Sequence, residues 1–457
     1  MKGKGVNIMD MTTLYDLEGT ATPIMPAVSN RKTAKSGRRG TSDSTDFRHN
    51  EFADELIEKY HIIEVNGVLY VYRDGYYQAD DKEIEQCMIE MLPTIKQRQR
   101  AEVLSYIKIK THKKATEINA NPYIINCENT RLDVRTGERL QFTPDAIEFA
   151  RLPVKYDPSA ECPELDATLK RVFCGDDELI GLFEEVVGYC LIRHAKYQVA
   201  VMLIGSGSNG KSTIIDLIKN LLGPANYSAL ALEQLTDRFN VVELDNKLAN
   251  LGDDIDNVTM RDEGQLKRIF AGNTVKAERK GEQPYMMTPY ATCIFSGNEI
   301  PRSRDKSYGF YRRWVVIPFN ARFTPDDPDY DPMLLDKLTT PEATSCLLNK
   351  AIEGAQRLVR RGKFDVPQIV KQEKEQYIID NSATLQWIED EHLDEEYFLA
   401  KPRDEIYDTF SMWALAAGMF NVPGRQTVYK EIRNKYDFAI KPKQHRSDGK
   451  RYFVKSI

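Results

Sequence analysis

Residues Gly205-Ser-Gly-Ser-Asn-Gly-Lys-Ser212 fit the pattern G-x-x-x-x-G-K-[ST]. No other stretch constrains the fold as tightly, because this motif works only as the turn between a buried strand and a helix. Its flanks supply both. Val199-Ala-Val-Met-Leu-Ile204 is a short, continuous apolar run, the pattern of a parallel strand buried on both faces. Thr213 to Leu222 carries apolar residues at helical spacing and stops at Gly223-Pro224. In such a loop, glycines let backbone N–H groups close around phosphates, and the helix N-terminus adds partial positive charge. The candidate phosphate-binding residues are therefore Gly205, Ser206, Gly207, Ser208, Asn209, Gly210, Lys211, Ser212 and Thr213. Lys211 is expected to reach the β- and γ-phosphates of a nucleoside triphosphate, and Ser212 to hold Mg²⁺.

At 457 residues the chain has room for two to four domains. Hydrophobic residues make up 41% and charged residues 29%, ordinary fractions that exclude a disordered or fibrous class. No apolar run approaches the ~20 residues of a membrane span, and no secretory segment opens the chain. Seven scattered cysteines without a C-x-x-C pair suit a reducing compartment and argue against a zinc ribbon, so a cytoplasmic location is expected. The formal net charge of −6 gives no overall preference for nucleic acid, so any such surface must be local.

Residues 1–45 read as a disordered tail with a basic cluster at Arg31, Lys32, Lys35, Arg38 and Arg39. A mixed α+β region is expected over 46–194. It opens with a helix at Phe52–Tyr60 and a hairpin turning at Asn66-Gly67, followed by a helix over Asp81–Met91 and a turn at Asp133–Glu138. From Leu165 to Arg193 the periodicity is helical.

The nucleotide-binding core is placed at 195–325. Leu230 to Phe239 is expected to be helical. Lys247-Leu-Ala-Asn-Leu-Gly252 reads as a buried strand ending in Asp253 and Asp254, the Walker B arrangement: one acid orients Mg²⁺ and the other polarises the attacking water, with Asp256 as a further acid. Val275–Lys280 and Gln283–Met287 form a hairpin whose cations, Lys276, Arg279 and Lys280, suit a phosphate backbone, with Tyr285 as a stacking residue. A solvated hairpin end is the plainer reading of that pattern alone. Ala291–Phe295 is another apolar strand that leads to Asn298, placed to sense the γ-phosphate or the attacking water. Arg312 and Arg313 enter the next strand, Trp314–Phe319, as an ordinary salt-bridging pair or as an arginine finger reaching a neighbouring subunit.

Residues 326–400 read as a helical segment, with one long amphipathic helix over Glu342–Arg361 closed by Gly362. Residues 401–457 read as two helices, at Asp404–Ala417 and Gly424–Lys435, then short strands at Phe438–Ile440 and Arg451–Val454 around a basic loop. This is the order of a winged helix. From Gly424 onward ten Lys/Arg stand against three acids, a local footprint for DNA, with protein docking as the other reading.

The order of parts from Gly205 to Phe319 resembles superfamily III helicases of the AAA+ class, specifically the phage/plasmid primase and poxvirus-type helicase family. The stretches that carry the resemblance are Gly205–Thr213, Lys247–Asp256, Leu266–Ile269, Lys276–Glu282, Ile294–Arg302 and Phe310–Phe319. The resemblance implies an α/β fold: an AAA+ P-loop ATPase core with an N-terminal α+β helicase-associated domain and a C-terminal winged helix. It implies Lys211 and Ser212 as Walker A, Asp253 and Asp254 as Walker B, Asn298 as sensor, Arg312 or Arg313 as the finger acting in trans, and Lys280 touching single-stranded DNA. The implied cofactors are ATP and Mg²⁺. The implied partners are single-stranded and forked DNA, further copies of the chain in a homohexamer, and a separate primase or replication protein, with no membrane. Longer members carry a primase domain ahead of this module; only a short tail precedes it here, so primase activity is not expected. The activity expected is ATP-driven DNA unwinding in phage or plasmid replication. A replication initiator or loader that binds duplex DNA without processive unwinding is the alternative.

Overall fold

In the computed structural model the described residues are 47–456 apart from 80, 115–116, 254, 256–259, 261, 282, 328–329 and 440–448. The expected tail over 1–45 lies outside them, as do Asp254, Asp256 and the basic loop with Lys441, Lys443 and Arg446.

The chain begins with α1 (His49–Tyr60) and the antiparallel strands β1 (Ile63–Val65), β2 (Val68–Arg73) and β3 (Tyr76–Ala79). Both turns of this meander need two residues with positive φ, and the sequence supplies them: Asn66 and Gly67 at 51° and 86°, Asp74 and Gly75 at 53° and 90°. Such turns match the right-handed twist of paired strands. Next come α2 (Asp81–Met91), α3 (Gln97–Lys110) and a second antiparallel sheet of β4 (Ile124–Asn126), β5 (Arg131–Asp133) and β6 (Glu138–Leu140). Helices α4 (Pro163–Val172) and α5 (Asp177–Cys190) lead to the central sheet. At the end of α5, buried Arg193 ties the two parts together. Its backbone N–H donates to Pro122 O (2.9 Å) and its guanidinium to Asn121 O (3.0 Å).

The central part runs β7 (Ala200–Ile204), α6 (Lys211–Leu222), β8 (Tyr227–Ser228), β9 (Ala249–Gly252), α7 (Glu263–Phe270), β10 (Val275–Ala277), β11 (Tyr285–Met287), β12 (Thr292–Gly297), α8 (Tyr308–Tyr311) and β13 (Trp314–Pro318). Five strands make one sheet in the order β13-β7-β12-β9-β8, and every pairing is parallel. Side chains alternate between two cores. Val201, Leu203, Ile294, Val315 and Ile317 face the layer that holds α5, α6 and the helix over Pro341–Arg361. Ala200, Met202, Cys293, Phe295, Trp314 and Val316 face the layer of α7 and the β10–β11 hairpin. A strand apolar on both faces reads as a continuous run, which is why these strands are plain in the sequence.

The helix expected over Leu230–Phe239 does not form; only a 3₁₀ turn stands at Gln234–Thr236, with another at Val241–Leu244. Local polar groups outbid the helix. The buried Asn250 side chain receives Leu230 N–H and returns a bond to Leu230 O, while the Asp237 carboxylate accepts from Phe239 N and Asn240 N.

The chain continues through α9 (Leu334–Leu338), α10 (Pro341–Arg361), α11 (Gln368–Asp380), α12 (Ala383–Asp390), α13 (Glu395–Ala400), α14 (Arg403–Ala416) and α15 (Arg425–Tyr436). The last four helices close a separate aromatic core around Trp387, Phe398, Phe410 and Phe453. Where two terminal strands were expected, the described residues give one antiparallel bridge, Phe438–Lys455, with Ala439 N–H donating to Val454 O at 2.8 Å.

Helix α10 lies against α5 at a separation only glycine allows. A Cβ on Gly188 would stand 2.3 Å from Ala351 O, and one on Gly354 would stand 2.1 Å from Glu184 O. Arg357 and Arg361 then pair with Glu184 and Glu185, each at 2.7 Å. Gly188→Ala should therefore destabilise by about 1–3 kcal/mol through overpacking. Gly181→Ala, on the same helix with open space around it, should stabilise by roughly 0.5–1 kcal/mol. Urea unfolding of the two variants checks both signs. Six cysteines are buried and Cys174 is exposed, and burial pushes the thiols of Cys127, Cys190 and Cys293 up to about 12. Native titration with a thiol reagent near pH 8 should give one fast equivalent, lost in Cys174→Ser.

Candidate functional site

The carboxyl ends of the parallel strands converge on one cleft, the place where open α/β sheets bind ligands. Register makes the convergence. Ile204 at the end of β7 lies opposite Gly297 on β12 and Pro318 on β13, and Gly252 at the end of β9 lies opposite Phe295. The next residues are the 205–212 loop, Asn298 and Asp253. Gly207 through Thr213, Asp253, Ser296 and Asn298 all line a cavity of about 660 Å³.

The loop is held from below. Asn209 is buried; its amide N–H donates to Phe319 O (3.2 Å) and its side-chain oxygen accepts from Lys211 Nζ (3.0 Å). Lys211 Nζ also donates to Gly205 O at 2.6 Å, so the ammonium sits within the loop's own ring of oxygens. A Cβ on Gly205 would come within 2.0 Å of Asn209 Nδ2 and 2.6 Å of Phe319 O, which leaves room for glycine alone. Gly210 has φ of 87° and sits against Val172, so α4 closes over the start of α6.

Across the cleft the Asp253 carboxylate accepts a hydrogen bond from Ser296 Oγ, which couples the tips of β9 and β12. Ser212 and Asn298 are exposed to the cleft. Among the described residues no cluster of three His, Cys, Asp or Glu side chains forms a ready metal cage. Asp254 lies outside the described residues.

The remaining wall is one that sequence reasoning missed. Thr168 and Arg171 of α4 face Phe323, Tyr330, Asp331 and Leu335, and the Arg171 guanidinium lies 5.2 Å from the centre of the Phe323 ring. A hydrogen bond from Lys337 at 2.8 Å holds the Asp331 carboxyl below its ordinary range. These residues come from segments more than 150 positions apart in the chain, and no local pattern marks them.

Arg312 and Arg313 do not enter this cleft. Arg313 O accepts from Ala200 N, at the amino end of β7, and the five-residue strand places the pair ~16 Å from the loop. Arg312 is exposed and donates to Gln198 Oε1 at 2.6 Å. Arg313 is half-buried and donates to Gly309 O; burial, then the neighbouring charge of Arg312, draws its pKa below the ordinary arginine value.

The hairpin cations lie elsewhere again. Lys276 on β10 and Arg279 and Lys280 at the turn are all exposed. Arg279 is turned back toward Asp245 (3.4 Å) and lies 5.3 Å from the Tyr285 ring centre, while Tyr285 Oη donates to Asp245 at 2.9 Å. Tyr285 is thus already stacked and bonded within the chain.

Comparison with known proteins finds two family matches. Residues 40–174 match the family described as D5 N terminal like, and residues 203–313 match a family of unknown function, DUF5906. "Putative helicase L207/L206" of Acanthamoeba polyphaga mimivirus is 26% identical over 220 residues, covering 45% of this chain and 22% of that protein. "Putative helicase 121R" of Invertebrate iridescent virus 3 is 21% identical over 360 residues, covering 70% of this chain and 38% of that protein. The chain thus spans well under half the length of either relative. Among solved structures, an apo structure of the NrS-1 C-terminal region has a TM-score of 0.53 at 14% identity, covering 89% of this chain and 98% of that one. A second apo structure of that region has a TM-score of 0.51 at 15% identity, covering 90% and 100%. Together the matches support a relationship to D5-like viral helicases and show a shared fold that includes a parallel α/β sheet. No helix among the described residues is long and apolar enough to cross a membrane.

Because Asn209 anchors the loop through two buried hydrogen bonds, Asn209→Ala should speed amide exchange across 205–211 by about tenfold or more, with α14 unchanged. Equal rates in the loop would mean the anchor is immaterial.

Proposed function

We propose that this chain is an ATP-driven DNA helicase of viral or mobile-element replication, built on a superfamily III AAA+ core and working as a hexameric ring. One observation carries the reading. Three strand tips bring Lys211, Ser212, Asp253 and Asn298 to one cleft, while Arg312 stands at the far end of the same sheet, out of reach of its own cleft. A cleft whose own arginine, Arg171, lies over the Phe323 ring, on a chain that presents the exposed Arg312 elsewhere, fits ATP bound between subunits.

Lys211 would exchange its two loop oxygens for β- and γ-phosphate oxygens, and the backbone N–H groups of 207–212 would hold the rest of the phosphate chain. Ser212 and Asp253 offer a hydroxyl and a carboxylate, hard oxygen donors that suit Mg²⁺, an ion that keeps several waters and takes few protein ligands. When bound there it would neutralise charge on the phosphates. Asp253 or Asp254 would polarise the attacking water, and Asn298 would position it or the γ-phosphate. Arg312 of the adjacent copy would meet the developing charge.

Lys276 and Lys280 on the β10–β11 hairpin would grip the phosphates of a single strand drawn through the ring, with little sequence preference. Arg279 would join them after release from Asp245. The basic C-terminal segment, with α14 and α15, is read as a winged helix for duplex DNA near a fork or origin; a separate primase or replication protein is the further partner. That same segment favours the second reading, an initiator or loader that uses ATP to assemble on duplex DNA.

Strand displacement on a forked duplex with ATP and Mg²⁺ separates the two. The intact protein should unwind. Lys211→Ala should lose ATP hydrolysis by about a hundredfold or more. Lys280→Ala should keep basal hydrolysis and lose unwinding. Hydrolysis without strand separation on any fork would put the initiator reading ahead, and no hydrolysis at all would remove the nucleotide reading.

A further inference from the structure

Helix α15 packs one face into the terminal aromatic core through Val428, Tyr429 and Ile432. Polar residues beside that face are engaged as well. Arg425 pairs with Asp404 at 2.7 Å. Glu431 accepts a hydrogen bond from Ser382 Oγ (2.9 Å) and pairs with Lys306 (3.1 Å). The opposite face differs. Gln426, Lys430 and Asn434 stand at i, i+4 and i+8, in one line along the helix, and all three are exposed. Their side chains make no hydrogen bond or ion pair among the described residues. Both flanks of this line are basic. On one side Arg403 N–H donates to Arg451 O (2.8 Å), the Arg403 guanidinium lies 4.3 Å from the Tyr429 ring centre, and Tyr429 Oη donates to Arg403 O (2.6 Å). These contacts hold exposed Arg451 beside α15. On the other side stands Lys306. Over the described residues from Gly424 onward, seven Lys/Arg stand against two acids.

We infer that the Gln426–Lys430–Asn434 line reads base edges in the major groove of duplex DNA, which makes the C-terminal segment a sequence-specific binder. The inference rests on the duplex-DNA reading of that segment above and names what the segment recognises. The major groove admits a helix, and the minor groove is too narrow for one. The side-chain chemistry matches as well: the carboxamide of Gln or Asn bonds adenine at N6 and N7 together, and Lys donates to guanine O6 and N7. Four helical residues advance ~6 Å, about two base-pair steps of ~3.4 Å. The target is therefore adenine, guanine and adenine, each about two base pairs from the next. Arg451 on the flank meets phosphates, which fixes the helix in register without reading sequence. A protein partner would call for apolar anchors at the centre of the face, and this line holds none.

The test is selection by the full chain, without nucleotide, from a pool of random-sequence blunt duplexes at physiological salt. The selected sequences should share the three spaced purines. Gln426→Ala and Asn434→Ala should each lose the preference at one outer purine. Each should weaken binding to the selected duplex about tenfold or more, with binding to random duplex changed less than about twofold. Arg451→Ala should weaken binding to every duplex alike and lower the slope of affinity against salt by about one. Circular dichroism melts confirm that the variants fold. Duplex binding with no enriched sequence overturns base reading and leaves the duplex-DNA reading standing. So does an enriched sequence whose affinity Gln426→Ala and Asn434→Ala leave unchanged. Failure to bind any duplex, even at low salt, removes the duplex-DNA reading, takes this inference with it and leaves the face to a protein partner.

Discussion

The parallel register on β7 is the constraint on which the rest depends. Because Ile204 sits level with Gly297 on one side and Pro318 on the other, the chain leaves three strands at one edge of the sheet. A shift of one residue would turn every side chain of the strand to the opposite core, so the register is fixed by two apolar layers at once. Trp314 and Phe295 pack on one face while Val315 and Ile294 fill the other. The chemistry at the strand tips is therefore positioned by hydrophobic packing some distance below it. Polar contacts do the final adjustment: Asn209 binds the loop to Phe319 O, and Ser296 binds Asp253.

What could be read from the sequence follows from how local each signal is. The hairpin at Asn66-Gly67 was legible because two consecutive positive φ values admit few residue types. The loop at 205–212, the strand before it and the helix after it were legible because one segment contains the whole motif. The acid and the asparagine were legible because each directly follows an apolar run, and the structure places Asp253 and Asn298 in the cleft with the loop. Failures arose where long-range pairing outweighed periodicity. Leu230–Phe239 has helical spacing, yet Asn250, on a strand 20 positions away, takes the Leu230 backbone for itself. The Arg171–Phe323 wall and the Arg279–Asp245 contact join residues that no window spans.

That last contact changes how the basic hairpin is understood. From sequence, its three cations look equally available. In the fold, Lys276 and Lys280 project while Arg279 is drawn toward a carboxylate and an aromatic ring. An exposed ion pair of this kind contributes at most about 1 kcal/mol, so a polyphosphate backbone could displace it. The hairpin thus has two permanently presented charges and one conditional one, set by its tether to the segment ending at Asp245.

The two ends of β7 carry different halves of the proposed chemistry. Its carboxyl end opens into the phosphate loop, and its amino end is hydrogen-bonded to Arg313 O, next to Arg312. With ~16 Å of strand between them, Arg312 cannot reach the cleft of its own subunit. On the proposed reading, assembly would be a condition of hydrolysis rather than an addition to it. Charge alone would not secure that assembly, since exposed pairs gain little and weaken with salt.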